Sequence, residues 1–291
     1  MEMGGAASTG VARFLAALKG DVVAPPATGV TFIEPHLLAG DDSAADSAES
    51  LAAACRTQHL DFAFVSGQAP WSESAIAALR DVGAGSAWVV PGVFGALLDP
   101  ALPVEGLKAI ARGGDGIPTT LDAALDIAIA EAGRGTRAGA SAIVVADDMA
   151  GSHGPLADPA FLEEQVFSRL ARIAGVARTA AVPAILHCDG DARFLMSFAA
   201  RAGFEAIHGD TGGPSGVERA LVAARVAGLA FIGGVPTAEL AGEPRPELER
   251  WRERALARGR GLLLADDGGV TTHDEAAALL AILRAHRAGV R

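Results

Sequence analysis

The side chains equipped for chemistry in this sequence gather where short apolar runs end. Ile143–Ala146 ends on Asp147 and Asp148, and Val182–Leu186 ends on His187, Cys188 and Asp189. Other runs finish on Glu34 and His36, on Ser66, on His208 and Asp210, and on Asp266 and Asp267. Carboxylates and imidazoles together suit a divalent metal or proton transfer. A mixture of His, Cys and Asp favours a borderline ion such as zinc over magnesium. In His187-x-Asp189 the two side chains stand close enough in sequence to face one ion. Each residue also has a plain structural reading. Asp147 can hold a loop by accepting backbone N–H bonds. His208 can be a histidine satisfied by a backbone carbonyl, and Cys188 a small buried hydrophobe.

Such residues act together only if the chain brings them to one place. Eight short apolar runs alternate with helical patterns: Gly29–Ile33, Asp61–Val65, Ser86–Val90, Ser141–Ala146, Val182–His187, Phe204–Ile207, Leu229–Ile232 and Gly261–Leu264. Continuous rather than alternating apolar character suits strands buried on both faces, as in a parallel sheet. Repeated eightfold over this length, the pattern predicts an α/β fold, a single (β/α)8 TIM barrel spanning residues 1–291. The rival is an open doubly wound sheet, but no Gly-x-Gly-x-x-Gly turn follows an early strand. In a barrel the carboxyl ends of the strands form one mouth.

Helices are expected over Val11–Leu18, Asp41–Gln58, Ser72–Val82, Thr120–Gly133, Asp158–Thr179, from Asp191, from a capping box at Ser215–Glu218, over Pro246–Arg258, and from a second capping box at Thr272–Glu275. Residues 1–10 read as a frayed terminus, and Val93–Pro118 as an irregular loop or short extra helix over the mouth. Gly233-Gly234 and Gly268-Gly269 follow strands seven and eight, where barrels often bind phosphate, although tight-turn geometry is the preferred reading of both.

The composition narrows the partners. A net charge of −11 over 291 residues argues against nucleic acid or an anionic membrane surface. No apolar run reaches the ~20 residues of a membrane helix, and no secretory signal pattern opens the chain, so a cytoplasmic protein is expected. Tyr is absent, which removes the phenol as a general acid, and the two cysteines, Cys55 and Cys188, do not suggest a disulfide framework.

Several stretches resemble the uroporphyrinogen decarboxylase and corrinoid methyltransferase superfamily. Arg13–Gly20 is similar to its opening helix. Asp147-Asp148 with Gly154-Pro155-Leu156 and Asp158-Pro159 is similar to its fourth strand and following loop. Pro183–Gly190 and Ala202–His208 resemble its next two strands, and Val270–Glu275 its last helix entry. The resemblance implies a (β/α)8 barrel. The decarboxylases of that superfamily carry an Arg-rich N-terminal motif, absent here between Val22 and Ile33, and an Asp after the second strand's Ser, where this chain has Gly67. Its methyltransferases hold zinc through His-x-Cys and a later Cys. Here His187 matches, Asp189 replaces the first Cys, and Asp266 or Asp267 stands near the second.

The expectation is therefore a methyltransferase in which His187, Asp189 and Asp267 (or Asp266) bind zinc or another divalent metal and activate a thiol acceptor. Asp147, Asp148 and His208 would orient substrate or move protons. The methyl group would come from a corrinoid carried by a partner protein. The alternatives are a metal-free decarboxylase acting on a carboxylated, tetrapyrrole-like substrate through Asp147 and His208, and a barrel that binds a small molecule without catalysis.

Overall fold

A computed structural model describes residues 9–40, 45–98, 101–209, 214–240, 249–250, 252–253 and 261–288. Eight parallel strands follow one another in sequence order: β1 (Gly29–Val30), β2 (Phe62–Ser66), β3 (Gly85–Pro91), β4 (Ala142–Ala146), β5 (Ala184–His187), β6 (Ala206–His208), β7 (Ala230–Val235) and β8 (Leu262–Asp266). The ring closes through a parallel bridge between Thr28 and Leu264, with the Leu264 N–H donating to the Ala27 carbonyl at 2.9 Å. Helices flank the ring, so the expected (β/α)8 barrel is the fold. Among the described residues no helix is long and apolar enough to cross a membrane.

Two apolar layers follow from the pleat. Phe62, Phe64, Ala142, Val144, Ile185, Ala206, Ile232, Leu263 and Ala265 fill the barrel interior. Their sequence neighbours Ala63, Val65, Ile143, Val145, Leu186, Ile207, Leu262 and Leu264 face the helices. This parity decides the fate of the strand ends. Counting on by twos from Ile185 and Ala206 turns His187 and His208 inward, whereas Asp147 and Asp266 fall on the outward parity and become anchors. Interior packing is tight at Gly29, where an added Cβ would lie 2.5 Å from the Phe62 ring. Gly29→Ala should cost about 1–3 kcal/mol by overpacking, read as a lower midpoint in urea denaturation.

At the bottom of the barrel, Gly10–Leu18 forms the helix expected there, capped by Thr9. It seats Phe14 against Phe62, with centroids 4.7 Å apart. Arg13 donates to the fully buried Asp61 at 3.0 Å, and Asp61 also takes Arg287 and the Thr28 N–H, each at 3.0 Å. The first and last helices are thus tied to one carboxylate.

Several expected elements differ in detail. β1 has two residues instead of five because the Thr31 N–H leaves the ladder for the Asp266 carboxylate, 3.0 Å away. The predicted helix Asp41–Gln58 starts later, as Ala48–Gln58 capped by Ser47, and a short helix that was not expected, Pro35–Ala39, precedes it. Of the two readings of Val93–Pro118, the extra helix holds: the stretch contains a 3-10 turn (Phe94–Leu97) and a ten-residue helix (Pro103–Arg112). The next helix starts at Ile117 rather than being capped by Thr120, and runs past Gly133 to Ala138. It passes Gly135 because the helix lies against Trp88 there, and a Cβ would sit 2.5 Å from the indole. Asp158 caps Pro159–Phe161 by accepting the Ala160 N–H at 2.8 Å, and a π-helical turn, Leu162–Phe167, leads into Ser168–Thr179. The Thr272–Glu275 capping box forms in both directions. Of the expected frayed terminus 1–10, Thr9 and Gly10 instead cap and open the first helix; residues 1–8, the Pro246–Arg258 helix apart from a few residues, and Asp210 lie outside the described residues.

Candidate metal and catalytic site at the barrel mouth

At the ends of β4 and β5, three donor side chains converge. His187 Nε2 lies 3.8 Å from Asp148 Oδ1 and 3.7 Å from Asp189 Oδ1. One ligand atom from each of the three lies within 4.8 Å of the others. The imidazole is buried, while both carboxylates are more than half exposed. Asp148 is held in place because its Oδ1 also accepts the Asp189 N–H at 2.8 Å. Gly190 turns the chain immediately afterwards at a φ of +78°, and a Cβ there would meet the Ala150 carbonyl at 2.7 Å. Burial pushes the His187 pKa down, against the pull of Asp189 and Asp148. A neutral imidazole and two carboxylates form a nitrogen-oxygen donor set of the kind borderline divalent ions accept, and the donors present fit such an ion.

Behind His187 stands His208, fully buried, its Nδ1 2.8 Å from His187 Nδ1 and its Nε2 3.0 Å from the Asp266 backbone oxygen. Desolvation, then the neighbouring His187, holds its pKa well below the usual value. Phe32 packs on both rings, with centroids 4.5 Å from His187 and 5.7 Å from His208, and Phe64 meets His208 edge-on. Sequence reasoning passed over Phe32, since an aromatic residue inside a predicted strand, Gly29–Ile33, reads as core.

The remaining carboxylates are anchors. Asp147 is buried; its Oδ2 accepts the Val93 and Phe94 N–H groups at 2.9 Å, and its Oδ1 the Gly95 N–H at 3.0 Å. The loop after β3 is thereby pinned to the end of β4, and Gly92 gives the room, since a Cβ would lie 2.2 Å from the Asp147 side chain. Burial, opposed by these three donors, pushes the Asp147 pKa up to about 6. The folded protein therefore keeps a proton that the unfolded chain loses near pH 4. Stability should fall as pH rises from about 4 to about 6, by up to roughly 3 kcal/mol. Comparing urea midpoints of wild type and Asp147→Asn across that range should show a shallower slope in the variant.

Asp266 accepts the Thr31 N–H and hydroxyl and the Gly268 N–H. Burial raises its pKa. Asp267 Oδ1 accepts both the Thr237 N–H and the Thr237 hydroxyl at 2.8 Å. The group within ligand reach of His187 thus takes its third member, Asp148, from β4 and not from the end of β8. His36 is turned to Asp46, 3.0 Å away, and Glu34 stands at the N-cap position of the next short helix without a side-chain capping bond. Cys188 is fully buried, its sulfur accepting the Met149 N–H at 3.3 Å, and burial pushes its thiol pKa up. A separate cleft of about 550 Å³ opens on the rim beside Gly67–Pro70, Glu131 and Arg134, away from these donors.

An eight-stranded parallel barrel with a nitrogen-oxygen donor set on its carboxyl-end mouth has the form of a TIM-barrel enzyme site. The profile of the family described as uroporphyrinogen decarboxylase (URO-D) matches residues 106–284, more than half of the chain, and the protein belongs to that family. A comparison with curated sequences finds no match. Among solved structures, the fold resembles a methyltransferase from Methanosarcina mazei, with a TM-score of 0.73 at 20% identity over 95% of this chain and 98% of that one. It also resembles a D-allulose 3-epimerase from Methylomonas sp., with a TM-score of 0.54 at 13% identity over 90% of this chain and 98% of that one.

Proposed function

We propose that the protein is a metal-assisted methyltransferase of the uroporphyrinogen decarboxylase-like superfamily, taking its methyl group from a corrinoid carried by a partner protein. The observation that carries this reading is the convergence of Asp148, His187 and Asp189 at the mouth. The donors fall where the superfamily's zinc ligands begin, and the fold is similar to that of a methyltransferase. When bound, zinc or another divalent ion supplies a Lewis acid that lowers the pKa of a thiol or water. The protein's own part is to hold the three donors, to seat the small-molecule acceptor against them, and to keep the mouth in shape. In this reading Asp148 binds the ion, while Asp147 fixes the loop after β3 that borders it. Asp267 would shape the turn at Thr237 instead of ligating.

Two observations weigh against the metal-free decarboxylase. In this chain the position after Ser66 cannot take a carboxylate without rearrangement, because a Cβ on Gly67 would lie 2.6 Å from the Trp88 indole nitrogen and 2.8 Å from the Val89 oxygen. The acid/base pair that reading needs is also occupied. Both Asp147 oxygens and both His208 ring nitrogens already have partners inside the protein.

The test is to incubate the zinc-loaded and metal-stripped protein with methylcobalamin and a small thiol, following the cobalt-carbon absorbance and the methylated thiol. Metal-dependent demethylation is expected. Metal-independent release of CO2 from a carboxylated tetrapyrrole, without demethylation, would contradict the proposal.

A further inference from the structure

We infer that His208 is a positioning residue that fixes the tautomer of His187, leaving the His187 Nε2 lone pair open to the mouth between Asp148 and Asp189. The derivation uses only hydrogen-bond bookkeeping. A backbone carbonyl cannot donate, so His208 Nε2, 3.0 Å from the Asp266 oxygen, must carry a proton. The 2.8 Å approach of the two Nδ1 atoms requires one proton between them. A His208 ring protonated at both nitrogens would be a fully buried cation with Phe32, Phe64 and His187 around it, and among the described residues its hydrogen-bond partners are His187 and a backbone oxygen, not a carboxylate. The proton between the rings therefore belongs to His187 Nδ1, and His208 Nδ1 accepts it.

With its proton on Nδ1, a neutral His187 has a bare Nε2. The distances agree, since 3.7 and 3.8 Å to the two carboxylates are too long for Nε2–H donation. The chain from the Asp266 carbonyl through His208 to His187 thus presents a nitrogen lone pair at the one place where two acidic side chains also point. Partners of this kind behind a ligating histidine hold its ring and raise its basicity. That use of the lone pair rests on reading the mouth as a metal site; the tautomer assignment itself does not.

Two measurements test it. In the full-length protein with ¹⁵N-labelled histidine, free of metal, long-range proton-nitrogen correlation should show His187 protonated at Nδ1 alone and His208 at Nε2 alone. A proton on His187 Nε2 would overturn the inference. The second measurement is Zn²⁺ affinity in two variants. His208→Asn keeps an acceptor near the Nδ1 position and should bind within roughly threefold of wild type. His208→Leu removes the acceptor and should bind about 10–100-fold more weakly. Equal affinities in the two variants would contradict a positioning role. If the wild type binds no divalent ion, the metal reading of the site fails, and the tautomer spectrum still decides for or against His208.

Discussion

Replacing His187 by Ala should weaken Zn²⁺ or Mn²⁺ binding by more than roughly 100-fold, a loss beyond that caused by removing a supporting partner. His187 is the only nitrogen in the donor group, and it is the member held most rigidly, between His208, Phe32 and the end of β5. The two carboxylates left behind are exposed, and without a nitrogen ligand they form only a weak oxygen pair. Isothermal titration is the direct readout, with circular dichroism to verify that the variant is folded. The substitution also leaves the buried His208 Nδ1 without its partner, so a stability loss of about 1–3 kcal/mol accompanies the loss of binding. Unchanged affinity would place the ion elsewhere.

Asp266→Ala should instead strike the fold, lowering stability by about 3–5 kcal/mol. The buried carboxylate accepts two backbone N–H groups, from Thr31 and Gly268, and the Thr31 hydroxyl. Its loss orphans those donors at the seam where β1 meets β8, a seam also held by the Thr28–Leu264 bridge and the Leu264 N–H bond to Ala27. Because the Asp266 backbone oxygen also holds His208, loosening the seam should disturb the site as well. Thermal or urea denaturation gives the first effect, and Zn²⁺ affinity of the surviving folded fraction gives the second. A stability within about 0.5 kcal/mol of wild type would show that β1 and β8 are held by other means.

How far these roles could be seen in advance depended on parity. The eight apolar runs were legible because parallel barrel strands are buried on both faces, so each reads as a continuous hydrophobic stretch. That same continuity erases the alternation that would say which way a strand-end residue turns. His187 and His208 point into the mouth, while Asp147 and Asp266, also at strand ends, point to the loops they pin. Nothing in Ile-Val-Val-Ala-Asp or Leu-Leu-Ala-Asp distinguishes those outcomes. Asp148 was legible as a candidate, but as a catalytic acid instead of a neighbour of His187, because its place depends on the Asp189 N–H across the β4–β5 boundary. The helix Pro103–Arg112 carried its own start and stop signals, Pro103 with Glu105 and the left-handed Gly113. The Gly- and Pro-rich flanks left an irregular loop as an equal alternative to that helix. The anchoring role of Asp266 rests on Thr31, 235 positions away in the chain, a pairing no local pattern announces.

The most direct test of the central claim is a crystal structure of the protein soaked with Mn²⁺, located by anomalous scattering. The account predicts one ion at the barrel mouth bonded to His187 Nε2 and to carboxylate oxygens of Asp148 and Asp189. An ion bonded to Asp266 or Asp267 in place of Asp148, or a mouth that stays empty at millimolar Mn²⁺, would contradict it.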